Sequence, residues 1–400
     1  MSTRAPLLAV VIVLSFFAGF TGVRLAYTLA YALLLLLIVA GIWSWRLARR
    51  IEVRRETPQG AHMVGEGFAE RFTVRNRSLL TLPYCEVHDR TKIPGYAPGR
   101  ACALNPGGAA TWTARGVFTR RGKIAFGPLE VRLGDPFGLF PRTVRVKETG
   151  LVTVYPAIHQ VDGLLGPVWS GGSLIGELNQ GRILDLPPEV STIREYAPED
   201  GMSRIHWAST ARSGRLMSRL FEARQSVDLL VILDLSAGIH FGEAPESSLE
   251  YAVSIAASIS HAALARGQAV GLVTNDRAGT AIGPGRGEAQ RLRLLEFLAV
   301  AQDNGSHAIA HTIAQYGQGW QGQGALIVIT ADRDPAWVES LVEFGTRGRR
   351  HLAVYVDPTS FGSSGQPMRI AAAWRLALDW WVVRRGDALS ASRPGRAAGL

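Results

Sequence analysis

Two cysteines in 400 residues, Cys85 and Cys102, are too few for a disulfide-stapled secreted scaffold, and they lack zinc-ligand spacing. Sequence alone leaves a Cys85–Cys102 bond open; two free buried thiols are the expectation. Acidic residues are also the minority, 33 against 43 Lys and Arg, leaving a net charge of +10. No zinc-finger spacing, aromatic ribonucleoprotein motif or helix-turn-helix pattern accompanies that excess, so no nucleic-acid partner is expected. Charged residues make up 19% and hydrophobic ones 47%, which excludes wholesale disorder and is ample for a core. The length allows two or three domains.

Complete catalytic motifs are missing as well. "GPGRG" at 283–287 has neither the lysine nor the spacing of a phosphate-binding loop and reads as a hairpin or loop. His307 and His311 lie four apart in an expected helix, on one face. No glutamate follows His307 and no third ligand is evident, so the pair reads as exposed or half-buried histidines.

What is present begins with two long apolar runs. Residues 5–23 and 25–45 are each long enough to cross a hydrocarbon core, which takes about 20 helical residues. A signal peptide is the competing reading of the first run. It fits poorly, because a second full run follows at once without a small-residue cleavage site between them. The expectation is a tight transmembrane helical hairpin within 1–50, with Arg24 at its turn. Arg4 precedes the first run, and Arg46, Arg49, Arg50, Arg54 and Arg55 crowd the end of the second. The positive-inside rule then places both termini in the cytoplasm, with the chain in the inner (plasma) membrane. The same five arginines form a basic collar suited to anionic headgroups, so the lipid bilayer is the first expected partner.

From 51 to 154 polar and apolar residues alternate, as in "RFTVRNRS" and "TWTARGVFT", with Gly, Pro and Asn between runs. That pattern is the sign of short antiparallel strands in a sandwich or barrel, and an all-β, sandwich-like domain is the expectation. In "RLGDPFGLF", Asp135, Pro136 and Gly138 suit a tight turn after a strand, and turn chemistry is expected there rather than a binding loop. Residues 155–189 hold no period and read as a linker. Residues 190–225 form a polar signature segment, treated below. From 226 to 385 continuous apolar runs ("VDLLVILDL", "AVGLVTN", "ALIVIT", "HLAVYVD") alternate with helical stretches at 250–265, 288–301 and 335–344. This predicts an α/β, Rossmann-type domain around a parallel sheet covered on both faces. Residues 386–400 read as a flexible tail. Asp234, Ser236, Thr274, Thr330 and Asp332 fall at carboxyl ends of strands, where ligands collect in such sheets.

"DLSAG" at 234–238 resembles the first loop of von Willebrand factor A-type domains, where a carboxylate and two hydroxyls surround one Mg²⁺. Asp234 and Ser236 match; Gly238 offers no oxygen at the third position, and Ala331 separates Thr330 from the candidate acidic ligand Asp332. A metal-free domain is expected, with Asp234, Ser236 and Asp332 as a degenerate Mg²⁺ site.

"REYAPEDGMSRIHWASTARSGRLMSRLFE", from Arg194 to Glu222, packs arginines, carboxylates, a histidine and a tryptophan together. Three readings are open. As a clasp, Arg–carboxylate pairs lock the segment to the sheet and Trp207 buries its ring. As a docking surface, exposed Arg and Trp engage a partner. As a hydrolytic site, the cluster from Arg194 to Arg212 needs a poised nucleophile in a pocket.

The segment resembles the signature of the bacterial domain-of-unknown-function family 58. The matching residues are Arg194, Glu195 and Tyr196; Pro198 and Asp200; Arg204 with His206 and Trp207; and Thr210, Ala211 and Arg212. "RRGKIAFGPLEVRLGDPFGLF", the paired helices and the von Willebrand A-like tail also resemble that family. The resemblance assigns no catalytic residue. It implies adaptor work beside a MoxR-class AAA-type ATPase, with a transglutaminase-like membrane protein as a further partner. The expected function is therefore a membrane-anchored cytoplasmic adaptor without a cofactor; a membrane-associated hydrolase is the alternative.

Overall fold

The computed structural model describes residues 4–147, 150–161, 190–195, 205, 207–221, 228–319, 324–346, 350–366, 368 and 378–389. The chain divides into two compact units, 1–156 and 157–400.

The first unit opens with two apolar helices, α1 (Arg4–Thr21) and α2 (Arg24–Arg50). α2 is long and apolar enough to cross a membrane, and α1 is a shorter apolar helix. Small buried residues, Ala18 on α1 with Ala26 and Ala30 on α2, let the two backbones approach. α2 does not stop where its apolar run stops at 45. Its last turns belong to the β domain: Leu47 is 1% exposed in a core with Phe72, Leu82 and Leu133. The helix then passes directly into strand β1.

Ten strands follow: β1 (Ile51–Glu56), β2 (Ala61–Met63), β3 (Gly67–Asn76), β4 (Leu82–Asp89), β5 (Arg100–Leu104), β6 (Ala109–Val117), β7 (Gly122–Phe126), β8 (Leu129–Leu133), β9 (Arg142–Val146) and β10 (Gly150–Tyr155). They form sheets in the orders β1-β3-β6, β5-β4-β8-β9 and β2-β10-β7. β3 alternates buried and outward residues along its length, as a strand with one face on a core must. Cys85 and Cys102 are directly opposed on β4 and β5 and both are free thiols, Cys85 buried and Cys102 half-buried. The hydrogen bond they share lowers Cys102 to about 7 and pushes Cys85 up.

Arg55 does not join the basic collar. Alternation on β1 turns Arg54 outward and Arg55 inward, where its side chain is 1% exposed. Its guanidinium donates to both oxygens of Glu70 at 2.9 Å and to Asp89 Oδ2 at 2.7 Å; Tyr96 OH also donates to Glu70. Burial opposes the Arg55 charge, but the hydrogen bond and field of Glu70, with Asp89, hold its pKa above the ordinary value.

In the second unit, the start of the expected linker is packed. Tyr155 ends β10 in the first unit, but Val161 is buried and His159 N donates to Ser258 Oγ at 2.9 Å. Next come β11 (Val190–Glu195), the short helix α3 (Trp207–Ser213) and β12 (Met217–Phe221), with β11 and β12 paired antiparallel. The remainder is an α/β layer: β13 (Leu229–Leu233), α4 (Ser248–Ala265), β14 (Val270–Thr274), β15 (Ala281–Gly285), α5 (Gly287–Val300), α6 (Ile309–Gly319), β16 (Ala325–Thr330), α7 (Ala336–Thr346), β17 (Arg350–Val356) and β18 (Asp379–Val383). The sheet order is β15-β14-β13-β16-β17-β18. Strands β13, β14 and β16 are buried at every residue, as expected of strands covered on both faces. The sheet is mixed, however, not wholly parallel. β15 pairs antiparallel with β14, and its Pro284 lacks an N–H for a further neighbour, so it closes the edge. "GPGRG" is thus the end of an edge hairpin and the start of α5.

Candidate functional site

Two places gather the residues singled out above. The first lies where the strand order reverses, between β13 and β16, at their carboxyl ends; crevices form there in open α/β sheets. Asp234 follows β13 and is fully buried. Its Oδ1 accepts from Ser236 N at 3.0 Å, Ser236 Oγ at 2.7 Å and Asn275 Nδ2 at 2.9 Å; its Oδ2 accepts from Thr330 Oγ1 at 2.6 Å. Asn275 is the central group. Its Nδ2 lies within donor distance of three oxygens: Asp234 Oδ1, Ser236 Oγ at 2.7 Å and the His307 carbonyl at 2.8 Å. Its Oδ1 accepts from Leu235 N at 2.7 Å. The amide nitrogen therefore stands among the oxygens a hard cation would need, and Asp234 already accepts four hydrogen bonds. This donor set does not fit Mg²⁺, which demands near-octahedral oxygen coordination.

The other candidate ligands serve local structure. Asp332 N donates to Thr330 Oγ1, while the Asp332 carboxylate accepts from Asp334 N at 3.0 Å in the turn before α7. Burial, reinforced by the charge of Asp234, raises the Asp332 pKa. Thr274 Oγ1 donates to Asp276 Oδ1 at 2.8 Å and takes no part in the Asp234 cluster. Gly238 has φ +83°, so a serine at this third position would need a left-handed backbone. Gly305 is constrained differently: a Cβ there would lie 2.9 Å from Leu235 O and closer still to Asn275 O. Only glycine lets that loop pair with Ser236.

His307 and His311 do not share a helix, although their rings lie 6.2 Å apart. α6 begins at Ile309, so His307 sits in the loop before it, with Nδ1 2.9 Å from Ser306 Oγ. Among the described residues no group of three or more His, Cys, Asp or Glu side chains is placed to hold a metal ion.

The second place is the signature segment. Arg194 and Glu195 lie on β11, opposite Ser218 and Met217 of β12. Tyr196, Pro198, Asp200, Arg204 and His206 lie outside the described residues. Ile205 is buried. Trp207, Thr210, Ala211 and Arg212 are carried on α3. Thr210 Oγ1 accepts from Met217 N at 3.0 Å and ties the helix to β12. Trp207 does not bury its ring as the clasp reading requires: it is 63% exposed, and Ala211 and Arg212 are exposed beside it.

Sequence reasoning missed Asn275, whose only signal is a polar residue directly after a buried strand. It also missed the Arg55–Glu70–Asp89 group, since a charged residue at an inward strand position gives no sign of its partner.

Residues 192–359 match the family model described as "Protein of unknown function DUF58". "Uncharacterized protein YeaD" of Bacillus subtilis (strain 168) is 25% identical over 317 residues, covering 74% of this chain and 73% of the relative. Among solved structures, the CARDB domain of the PF1109 protein from Pyrococcus furiosus is 16% identical with a TM-score of 0.20, covering 26% of this chain and 86% of that one. A β-glucosidase from Listeria innocua is 14% identical with a TM-score of 0.17, and the match spans 26% of this chain and 16% of that one.

Proposed function

Because residues 192–359 of this chain belong to the DUF58 family, described only as of unknown function, we propose a role from the geometry: a membrane-anchored, non-enzymatic adaptor that docks a protein partner through α3. The observation that carries this reading is Trp207, 63% exposed on a short helix whose Ala211, one turn on, and Arg212 are exposed as well. Trp and Arg dominate the energetics of interfaces, and an exposed Trp stabilises a monomer little. The α/β domain is von Willebrand factor A-like, supported by strands that run 3-2-1-4-5-6 across the sheet and by Asp234 and Ser236 at the reversal point. It works without Mg²⁺, because Asn275 supplies the positive end that a cation otherwise would.

α1 and α2 cross the inner membrane as a hairpin with both termini cytoplasmic. Arg46, Arg49 and Arg50 are all exposed at the cytoplasmic end, and Arg49 stacks 4.1 Å over the Trp45 ring, a pairing suited to an interface. The partner is a MoxR-class AAA-type ATPase, as the family resemblance implies, with a transglutaminase-like membrane protein as a further component. Affinity purification of the full chain from membranes, with quantitative mass spectrometry, tests the docking. The ATPase co-purifies with the wild-type chain and falls about tenfold or more with Trp207→Ala, as loss of a hot spot implies. The melting temperature stays unchanged. Substrate turnover by the purified chain, lost in a folded His206→Ala variant, instead establishes the membrane-associated hydrolase that uses the 194–212 cluster.

A further inference from the structure

Two loops of the β domain grip α2 from different sides, and both end in bare apolar tips. In the loop between β3 and β4, Thr81 O accepts from Trp43 Nε1 at 3.0 Å, and Leu79 at its tip is 92% exposed. In the loop between β8 and β9, Phe140 O accepts from Ser44 Oγ at 2.5 Å. Leu139 of that loop packs with Val11, Leu37 and Ala40 of the two helices, and Phe137 is 61% exposed.

The backbone of each loop is satisfied from within. The buried Asp135 carboxylate accepts from Phe137 N at 3.1 Å, Leu139 N at 3.2 Å and Phe140 N at 2.6 Å. Asn76 does the same for the other loop: its Oδ1 accepts from Ser78 N at 3.0 Å and its Nδ2 donates to Leu80 O at 2.8 Å. Irregular backbone is excluded from hydrocarbon because its polar groups go unpaired, and these loops have removed much of that obstacle. The "DPFGLF" turn is thus more than a chain reversal.

Depth decides where these tips sit. Leu37, against which Leu139 packs, precedes Arg46 by nine residues, about 13 Å of helix. A bilayer edge drawn beyond the loop leaves α2 only residues 25–36, about 18 Å, against a hydrocarbon core of about 30 Å. With the edge at Arg46, Arg49 and Arg50, α2 has its full span and the loop lies below that edge, inside the apolar layer.

We propose that the tips of the loops 77–81 and 134–141 insert into lipid, with Leu79, Phe137, Leu139 and Phe140 entering the leaflet beside α2, while Arg77, whose backbone N–H donates to Arg50 O, stays at the headgroup level. Arg46, Arg49, Arg50 and Arg142, all exposed around the insertion level, suit anionic headgroups. The proposal rests on the reading that α2 spans the bilayer.

The test uses the full chain reconstituted in vesicles of phosphatidylcholine and phosphatidylglycerol, with p-benzoylphenylalanine placed singly at four exposed positions. Phe137 and Leu79 are the tips, Leu29 on α2 reports on hairpin insertion, and Leu151 on β10 is an exposed apolar residue in a strand that packs in a different cluster. After irradiation, lipid adducts are quantified by mass spectrometry. Adducts at Phe137 and Leu79 approach those at Leu29 and exceed Leu151 by about fivefold or more, as burial in the acyl boundary predicts. Labelling at Leu29 with Phe137 and Leu79 no higher than Leu151 overturns the lipid-inserting loops and leaves the hairpin in place. No adduct at Leu29 overturns the membrane span and the proposal together. Adducts between two copies of the chain at the tips, in place of lipid, also overturn it.

Discussion

Asn275 shows how one side chain sets the chemistry of a site. Its Nδ2 serves three oxygens and its Oδ1 one backbone N–H, so truncation orphans several buried groups at once. Asn275→Ala should lower stability by about 1–3 kcal/mol in chemical denaturation, the cost of leaving buried polar groups unpaired. Titration calorimetry with Mg²⁺ should give no binding heat for the wild-type chain. Micromolar binding abolished by Asp234→Ala refutes the metal-free reading. Asp332 carries a pH signature. Its pKa is raised in the folded chain by burial and then by Asp234, from an ordinary 3.8. The folded state therefore binds more protons than the unfolded chain above that value, and stability falls as pH rises through it. Asp332→Asn keeps an acceptor for Asp334 N and removes the penalty. Its melting temperature should exceed that of the wild type at pH 7, and the difference should shrink as pH falls below about 4.

At the scale of the element, α2 is both an apolar helix and the first piece of the β core. The apolar run at 25–45 marks the helix by composition, but only packing carries it on to Arg50. Leu47 is 1% exposed among sandwich residues, whereas Ile42, five residues earlier, is 51% exposed. Leu47→Ala should destabilise the first unit by about 2–5 kcal/mol, as truncation of a well-packed core leucine does. Ile42→Ala should leave the unfolding transition of the β domain where it is. Equal shifts from the two substitutions, followed by tyrosine and tryptophan fluorescence in detergent, contradict the rooted helix. β15 makes the complementary point. Its "AIGPG" has no strand-like alternation, and pairing with β14 alone makes it a strand.

For the whole molecule, the arginine asymmetry around the hairpin predicts topology. Removing Arg55 from the collar leaves Arg46, Arg49, Arg50 and exposed Arg54, still against Arg24 alone between the two helices. Cytoplasm-dependent reporters fused at Met1 and Leu400 should both be active. Reporters active only outside the cytoplasm reverse the orientation. The chain forms two compact units, with a β domain in the first and a mixed sheet with helices in the second.

The apolar runs, the alternation of the β domain, the buried strands at 229–233, 270–274 and 325–330 and the signature from Arg194 to Arg212 were all legible in the chain itself. Each is a local pattern, and a local pattern reports which face of an element avoids water. It does not report what that face meets. Arg55 finds Glu70 and Asp89 at separations of 15 and 34 residues, Asp234 finds Asn275 at 41, and Ser44 reaches Phe140 across 96. Charge, metal affinity and insertion depth at those positions are properties of the neighbours. Tertiary structure alone brought the neighbours together: it buried an arginine the sequence placed at the membrane, exposed a tryptophan the clasp reading buried, and set an amide among the oxygens of a candidate cation site.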